Sequence, residues 1–255
     1  MIPPLDNLRD LTRVLRENRG VCFYTGHGLN PEPRFRAADT FLRGLDACPK
    51  LEERTMFPES LKQLPEAKRR VLQTFVGRAS TVPLPEGAPD LTDLAVAMSG
   101  IARTALDRII LDYGWPSNLY NGLMRNDEWA LSTAHYPFEA GKKGKLLFPA
   151  HKDWGTLAIY PFLEGAGLEA SIDGEWRPVE VPKGAMLLYA GDILERLTEH
   201  TIPALVHRVV QPTDEPTGRT SMIFYVDTWR SMQLPNGKRV SEIIDEKLKK
   251  IGQIT

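Results

Sequence analysis

Cysteine is nearly absent. Cys22 and Cys48 are the two in 255 residues, too few for a disulfide framework, so a reducing, cytoplasmic setting is expected. Nor is there a run of the roughly 18–20 consecutive apolar residues that a membrane span requires. The opening stretch, MIPPLDNLRDLTRVLREN, carries charges through its apolar pattern and has no signal-peptide core. An excess of one charge is missing too: 32 Lys plus Arg stand against 33 Asp plus Glu, a net charge of −1. That balance argues against a nucleic-acid partner, whose footprint is a basic excess or stripe. No P-loop, GxGxxG turn or nucleophile elbow occurs, which removes nucleotide and acyl-transfer chemistry. What is present is an ordinary globular composition, and a chain of this length buries enough surface to fold without staples.

The two halves differ in period. In residues 1–129 the pattern is mainly helical. Leu5, Leu8, Leu11 and Leu15 recur at helical spacing before Gly20, and VCFY (21–24) reads as a short strand. Further helices are expected over 35–45, over the charged segment 59–74 with Leu61, Leu64, Val71 and Leu72 as anchors, and over 91–113. The last has a stripe from Leu94 through Met98, Ile101, Ala105 and Ile109 to Leu111, stopped by Gly114. GRASTVPLPEGAPD (77–90) is a loop. From 130 to 230 short β-favouring runs take over, at 130–137, 145–150, 156–162, 167–171, 176–181, 185–190, 205–211 and 219–226. Strands at that spacing predict a sandwich or jelly-roll barrel, and Asp173-Gly174 within SIDGEW is the best hairpin signal. The tail (240–255) returns to a helix with Ile243, Ile244 and Leu248 inward. No linker separates the halves, so one domain over 1–255 is expected: mainly β, with flanking helices.

Five histidines are available, and His151 lies two residues before Asp153 in PAHKDWGTLAIY. On an extended strand residues i and i+2 share a side, so imidazole and carboxylate can meet at one ion. His207, in LVHRVV on another predicted strand, supplies a third ligand. Two histidines and a carboxylate on one face of an octahedron suit non-haem Fe(II) and oxygen chemistry, because three positions stay open. Beyond them Arg219 and Ser221 are again i and i+2, and a guanidinium beside a hydroxyl is a carboxylate receptor.

These residues resemble the isopenicillin N synthase-like branch of the Fe(II)/2-oxoglutarate-dependent dioxygenases. The resemblance runs from LSTAHYPF (131–138) through AHKDWGTLAIY, GLEASIDGEWRPVEVPKGAMLLYAGDILERLTEH and LVHRVV to RTSMIFY, and RENRGVCFYTGHGL is similar to the family's opening segment. It implies a double-stranded β-helix (jelly-roll) core, with His151, Asp153 and His207 on iron. It also implies that Arg219 and Ser221 hold the distal carboxylate of 2-oxoglutarate, with Tyr136 adding its phenol. The implied activity is oxidation of an unactivated C–H bond of a small metabolite, an amino acid or natural-product intermediate, by O2 and 2-oxoglutarate, releasing succinate and CO2. Asp153 stands where related halogenases have a small residue, which favours hydroxylation or another oxidative outcome. In isopenicillin N synthase the Arg–Ser pair holds the substrate's carboxylate instead, so a 2-oxoglutarate-independent oxidase is the alternative. A non-catalytic small-molecule binder on the same barrel is another.

Other residues have blander readings. His135 is expected on the outer face of its strand, His27 in a turn, and His200 in a solvated loop beside Glu199. Lys142, Lys143 and Lys145 form a charged loop, Arg78 is a surface arginine, and Asp192 is structural. Among the aromatics Trp154, Tyr160 and Phe162 are core candidates, while Phe148 and Trp229 are the first choices for lining a substrate cavity.

Overall fold

The computed structural model describes residues 2–45, 70–77, 84–125, 129–138, 144–211 and 218–250. Along them run β1 (Pro4–Leu5), α1 (Leu11–Glu17), β2 (Val21–Tyr24), α2 (Glu32–Gly44), β3 (Arg70–Phe75), α3 (Thr92–Tyr113), α4 (Ser117–Leu123), β4 (Ala130–Tyr136), β5 (Leu146–His151), β6 (Leu157–Leu163), β7 (Leu168–Ile172), β8 (Glu175–Pro178), β9 (Met186–Ala190), α5 (Asp192–Leu197), β10 (His207–Val210), β11 (Arg219–Val226) and α6 (Val240–Lys250). Two sheets result: a seven-stranded one in the order β1-β2-β9-β6-β11-β4-β3, and a four-stranded one in the order β5-β10-β7-β8. Apart from β1-β2, β3-β4 and β7-β8, the neighbours in these orders are not consecutive in sequence, as in a jelly roll.

Strand alternation sorts the core into two layers. On β9, Leu187 and Tyr189 join a cluster with Leu147 and Phe148 of β5, Leu168 and Ala170 of β7 and Val209 of β10. That cluster fills the space between the sheets. Met186, Leu188 and Ala190 face the other way, toward Leu11, Leu15, Phe35, Met98, Ala102 and Leu106 of α1, α2 and α3. β11 alternates in the same manner, with Ile223 between the sheets and Met222, Phe224 and Val226 under the helices. The strands β2, β9, β6 and β11 of the large sheet are therefore buried on both faces at their centres, which explains why their segments read as nearly continuous apolar runs.

Local signals account for several boundaries. α3 ends where Gly114 adopts φ 60°, its N–H returning to the carbonyls of Ile110 and Leu111. Asp173 and Gly174 both take positive φ, 56° and 82°, and close the β7–β8 hairpin as a two-residue turn.

Some expectations fail. Residues 70–75 of the expected 59–74 helix are the edge strand β3, paired with β4 from Arg70↔His135 to Phe75↔Ala130; residues 59–69, with Leu61 and Leu64, lie outside the described residues. Val71 and Leu72 are buried on opposite faces of that strand, so partner strand rather than propensity decides its form. Leu5 is in β1, paired in parallel with β2, and the helix begins at Leu11. Leu111 is 74% exposed and is no part of the α3 stripe. In α6, Ile243 and Ile244 are buried as expected, while the Leu248 side chain lies outside the described residues.

Candidate metal and carboxylate site

β5 and β10 pair antiparallel with His207 opposite His151, so the two side chains emerge on one face, their ring centroids 4.2 Å apart. Asp153 arrives differently from the expected strand pleat: β5 ends at His151, and Asp153 sits in the loop that follows. Close backbone packing sets that loop. The Asp153 carbonyl accepts the Asp192 N–H at 2.8 Å, Thr156 O accepts the Gly191 N–H at 2.9 Å, and Val226 O accepts the Thr156 N–H at 2.9 Å. A Cβ on Gly155 would stand 2.6 Å from Val226 O, and one on Gly191 2.3 Å from Gly155 O. Only glycine lets the chain pass here.

The resulting trio has its candidate ligand atoms within 4.8 Å of one another. Asp153 Oδ1 lies 3.3 Å from His151 Nε2 and 3.9 Å from His207 Nε2. On the far side of each ring Nδ1 faces a backbone carbonyl, Pro149 O at 2.8 Å for His151 and Leu205 O at 3.3 Å for His207. A proton on each Nδ1 leaves both Nε2 lone pairs toward the carboxylate. Tyr189 donates its hydroxyl to the other carboxylate oxygen, Oδ2, at 2.6 Å.

Electrostatics match this assignment. Burial opposes ionisation of Asp153, but His207, His151 and the Tyr189 hydroxyl overcome it and hold the carboxyl down to about 2. Burial above all keeps His207 neutral, its value pushed down to about 4. Two imidazoles and one carboxylate form a donor set that fits Fe(II) with positions left open. A thiolate site is not on offer: burial pushes the Cys22 thiol up to about 12, and Cys22 faces the helices rather than the space between the sheets. Cys48 lies outside the described residues.

Arg219, Ser221 and Tyr136 are also brought together. Arg219 pairs with Tyr136 across β11–β4, and Ser221 lies two residues along the same face. All three are buried, with Arg219 and Ser221 each 2% exposed. Arg219 Nε donates to Ala166 O at 3.1 Å, fixing the guanidinium plane. Its charge is among the influences on both Tyr160 and His207, so it acts in the same interior as the trio.

The cavity candidates divide. Phe148 is buried with its ring centroid 4.5 Å from that of His151. Trp229, 37% exposed, lies under the Arg125 guanidinium at 4.5 Å. Trp154 packs at the edge of the core beneath the Lys247 ammonium, and Tyr160 and Phe162 are core residues on opposite sides of the large sheet. His135 does face the helices, but buried, with Nδ1 2.8 Å from Thr220 Oγ1. His27 occupies a turn against Gly184 O at 2.9 Å. His200 is exposed yet touches the buried Glu195 carboxylate at 3.0 Å. Asp192 opens α5 and pairs with Arg196 and Lys247. Arg78, Lys142 and Lys143 lie outside the described residues, and Lys145 stands just before β5.

Sequence reasoning missed Tyr189, although its alternation with Leu187 on β9 marks it as inward. It also missed Glu195, for which no periodic signal exists.

Residues 120–228 match the family model of the 2OG-Fe(II) oxygenase superfamily. The chain is 28% identical over 227 residues to clavatol oxidase claD of Penicillium crustosum, covering 86% of this chain and 56% of that protein. It is 27% identical over 157 residues to the 2-oxoglutarate-dependent dioxygenase citB of Monascus ruber, covering 59% and 47%. The chain thus spans about half the length of these curated relatives. Among solved structures it resembles a full-length Neurospora crassa protein in complex with alpha-KG, with a TM-score of 0.73 at 16% identity over 95% of this chain and 90% of that one. It also resembles the rice dioxygenase for auxin oxidation, with a TM-score of 0.68 at 16% identity over 98% and 96%. At such identities the likeness is one of fold.

Proposed function

The chain belongs, through residues 120–228, to the 2OG-Fe(II) oxygenase superfamily, and on that premise we propose that it oxidises a C–H bond of a small metabolite at the expense of O2 and 2-oxoglutarate, releasing succinate and CO2. The observation that carries this is the convergence of His151, His207 and Asp153, whose candidate ligand atoms lie within 4.8 Å of one another while another atom of each side chain makes its own hydrogen bond. These three residues hold Fe(II). Arg219 and Ser221, with Tyr136 opposite, grip the distal carboxylate of 2-oxoglutarate by charge-assisted hydrogen bonds. Bound iron and 2-oxoglutarate supply the oxidising chemistry, and the protein supplies geometry and exclusion of water.

The chain's own residues keep that chemistry in place. Tyr189 and the two backbone carbonyls orient the ligands, and Phe148 covers the His151 ring on the apolar side. A small substrate is in keeping with the relatives, whose names point to clavatol and auxin, and with the Neurospora crassa protein, which is also known in complex with thymine. Helical and β-rich parts work as one domain, and ferrous iron suits a reducing compartment. Among the described residues no helix is long and apolar enough to cross a membrane.

Anaerobic addition of Fe(II) and 2-oxoglutarate tests the proposal, with the weak visible metal-to-ligand charge-transfer band of that chelate as the expected result. Its absence overturns the 2-oxoglutarate assignment. Turnover with a panel of amino acids and small acids then reads the outcome: a product heavier by one oxygen is hydroxylated, one lighter by two hydrogens is desaturated or cyclised. Oxygen consumption with no succinate formed identifies the 2-oxoglutarate-independent alternative.

A further inference from the structure

The two segments that bring the three ligands together share one buried carboxylate. Glu195, on α5, is 8% exposed. Its Oε2 accepts Lys152 Nζ at 2.5 Å and the backbone N–H of Ala204 at 3.2 Å, and its Oε1 lies 3.0 Å from His200 Nδ1. Lys152 is the residue between His151 and Asp153. Ala204 is three residues before His207 and next to Leu205, whose carbonyl receives His207 Nδ1 and whose N–H binds Ala190 O at 3.2 Å. Backbone ties add to these, from the Asp192 N–H to Asp153 O and from the His200 N–H to Glu195 O at 2.7 Å, and the Tyr189 hydroxyl holds Asp153 Oδ2.

We propose that Glu195 is a positioning residue for the metal site, which spaces the His151–Asp153 loop and the segment entering His207 by clamping Lys152 and the Ala204 amide to one carboxylate. The inference rests on the assignment of His151, Asp153 and His207 as metal ligands. Side chains that orient ligands through such contacts typically change metal affinity by about 10–100-fold when altered. An ionised acceptor with a cationic donor also makes a stronger and more directional tie than a neutral pair. Lys152 is well suited to the role because its ammonium reaches Glu195 while its side chain stays 34% exposed.

The test uses the full chain without metal, titrated with Co(II) and followed by visible absorption, in six forms: wild type, His207→Ala, Glu195→Gln, Lys152→Met, Lys152→Arg and the double variant Glu195→Gln/Lys152→Met. We expect about 10–100-fold weaker binding and an altered ligand-field spectrum in each single Glu195 or Lys152 variant, with little further loss in the double variant. Lys152→Arg should restore most of the affinity, which a merely structural loss would not allow. If Glu195→Gln fails to fold, Lys152→Met alone carries the test, since its side chain is partly solvated. Wild-type affinity and spectrum in both single variants, with binding lost in His207→Ala, overturn the proposal while sparing the metal site. No binding by the wild type, or full binding by His207→Ala, overturns the ligand assignment and this inference with it.

Discussion

The phenol of Tyr189 donates a 2.6 Å hydrogen bond to Asp153 Oδ2, while its ring stands 5.1 Å from that of His207. One side chain therefore touches two of the three candidate ligands. With Oδ2 occupied, Oδ1 is the oxygen presented to both Nε2 atoms, so the carboxylate is held as a single-oxygen donor. Tyr189→Phe keeps the packing volume but leaves a buried carboxylate oxygen without its donor. Metal affinity should fall by about 10–100-fold with the apo fold intact. Parallel Co(II) titrations and thermal melts of the two proteins check this, and equal affinities would rule out an orienting role.

Arg219 is expected to act on the cosubstrate and not on the metal. Hydrogen bonds to charged groups contribute roughly 1.5–3 kcal/mol each, and a guanidinium clamp makes two. Arg219→Ala should raise the KM for 2-oxoglutarate by about 100-fold or more while Co(II) affinity stays within a few-fold of wild type. Ser221→Ala should raise it about tenfold. A rise confined to the KM of the oxidised substrate would show that the clamp holds that molecule's carboxylate instead.

The meeting of His151 with His207, and of Arg219 with Ser221, was legible because each rests on spacing that β-structure preserves. Arg219 and Ser221 stay i and i+2 on β11, and His207 meets His151 because one antiparallel register brings them face to face. The eight strand segments of the second half were legible for a related reason: turn residues interrupt them, and in β6, β9 and β11 burial on both faces leaves apolar runs. Other features depend on contacts between residues distant in sequence. Arg70–Phe75 follows a charged, helix-favouring stretch and becomes a strand because β4 offers an edge. Asp153 leaves the strand because Gly155 and Gly191 meet backbone to backbone across 36 residues. Glu195 gathers Lys152, His200 and Ala204 in irregular segments, where periodicity carries no information.

Those glycines give a paired prediction. Gly155→Ala places its Cβ 2.6 Å from Val226 O and 2.7 Å from Asp227 Oδ1, with no flexible side chain to yield on the backbone side. Overpacking of this kind destabilises by about 1–3 kcal/mol, and because the Asp153 loop must move, Co(II) binding should weaken as well. Gly100, inside α3, has open space around its Cβ position. Gly100→Ala should stabilise by roughly 0.5–1 kcal/mol through helix propensity and leave metal binding alone. Melting temperatures and Co(II) titrations of the two variants separate a loop effect from a general one.

His135 sets an acid limit on stability. Burial, followed by the nearby Arg43 charge, pushes its imidazole down to about 4, although Asp39 opposes the shift. The pattern of bonds agrees with a neutral ring: Thr220 Oγ1 donates to Asp39, so its oxygen accepts from the His135 Nδ1–H. An unfolded histidine titrates near 6.5. Between about 6.5 and 4 the unfolded chain therefore binds a proton that the folded chain refuses, so stability is lost as pH falls through that window and is fully present above it. The slope from this one group is at most one proton, about 1.4 kcal/mol per pH unit. His135→Gln retains a donor for Thr220 but does not titrate, and its urea midpoints should fall less steeply with acid than those of the wild type. His207 titrates in the same window in both proteins, so its contribution cancels in the difference between their slopes. Identical slopes would mean that His135 is solvated enough to protonate in the folded state, and the acid sensitivity would then belong to other groups, His207 among them.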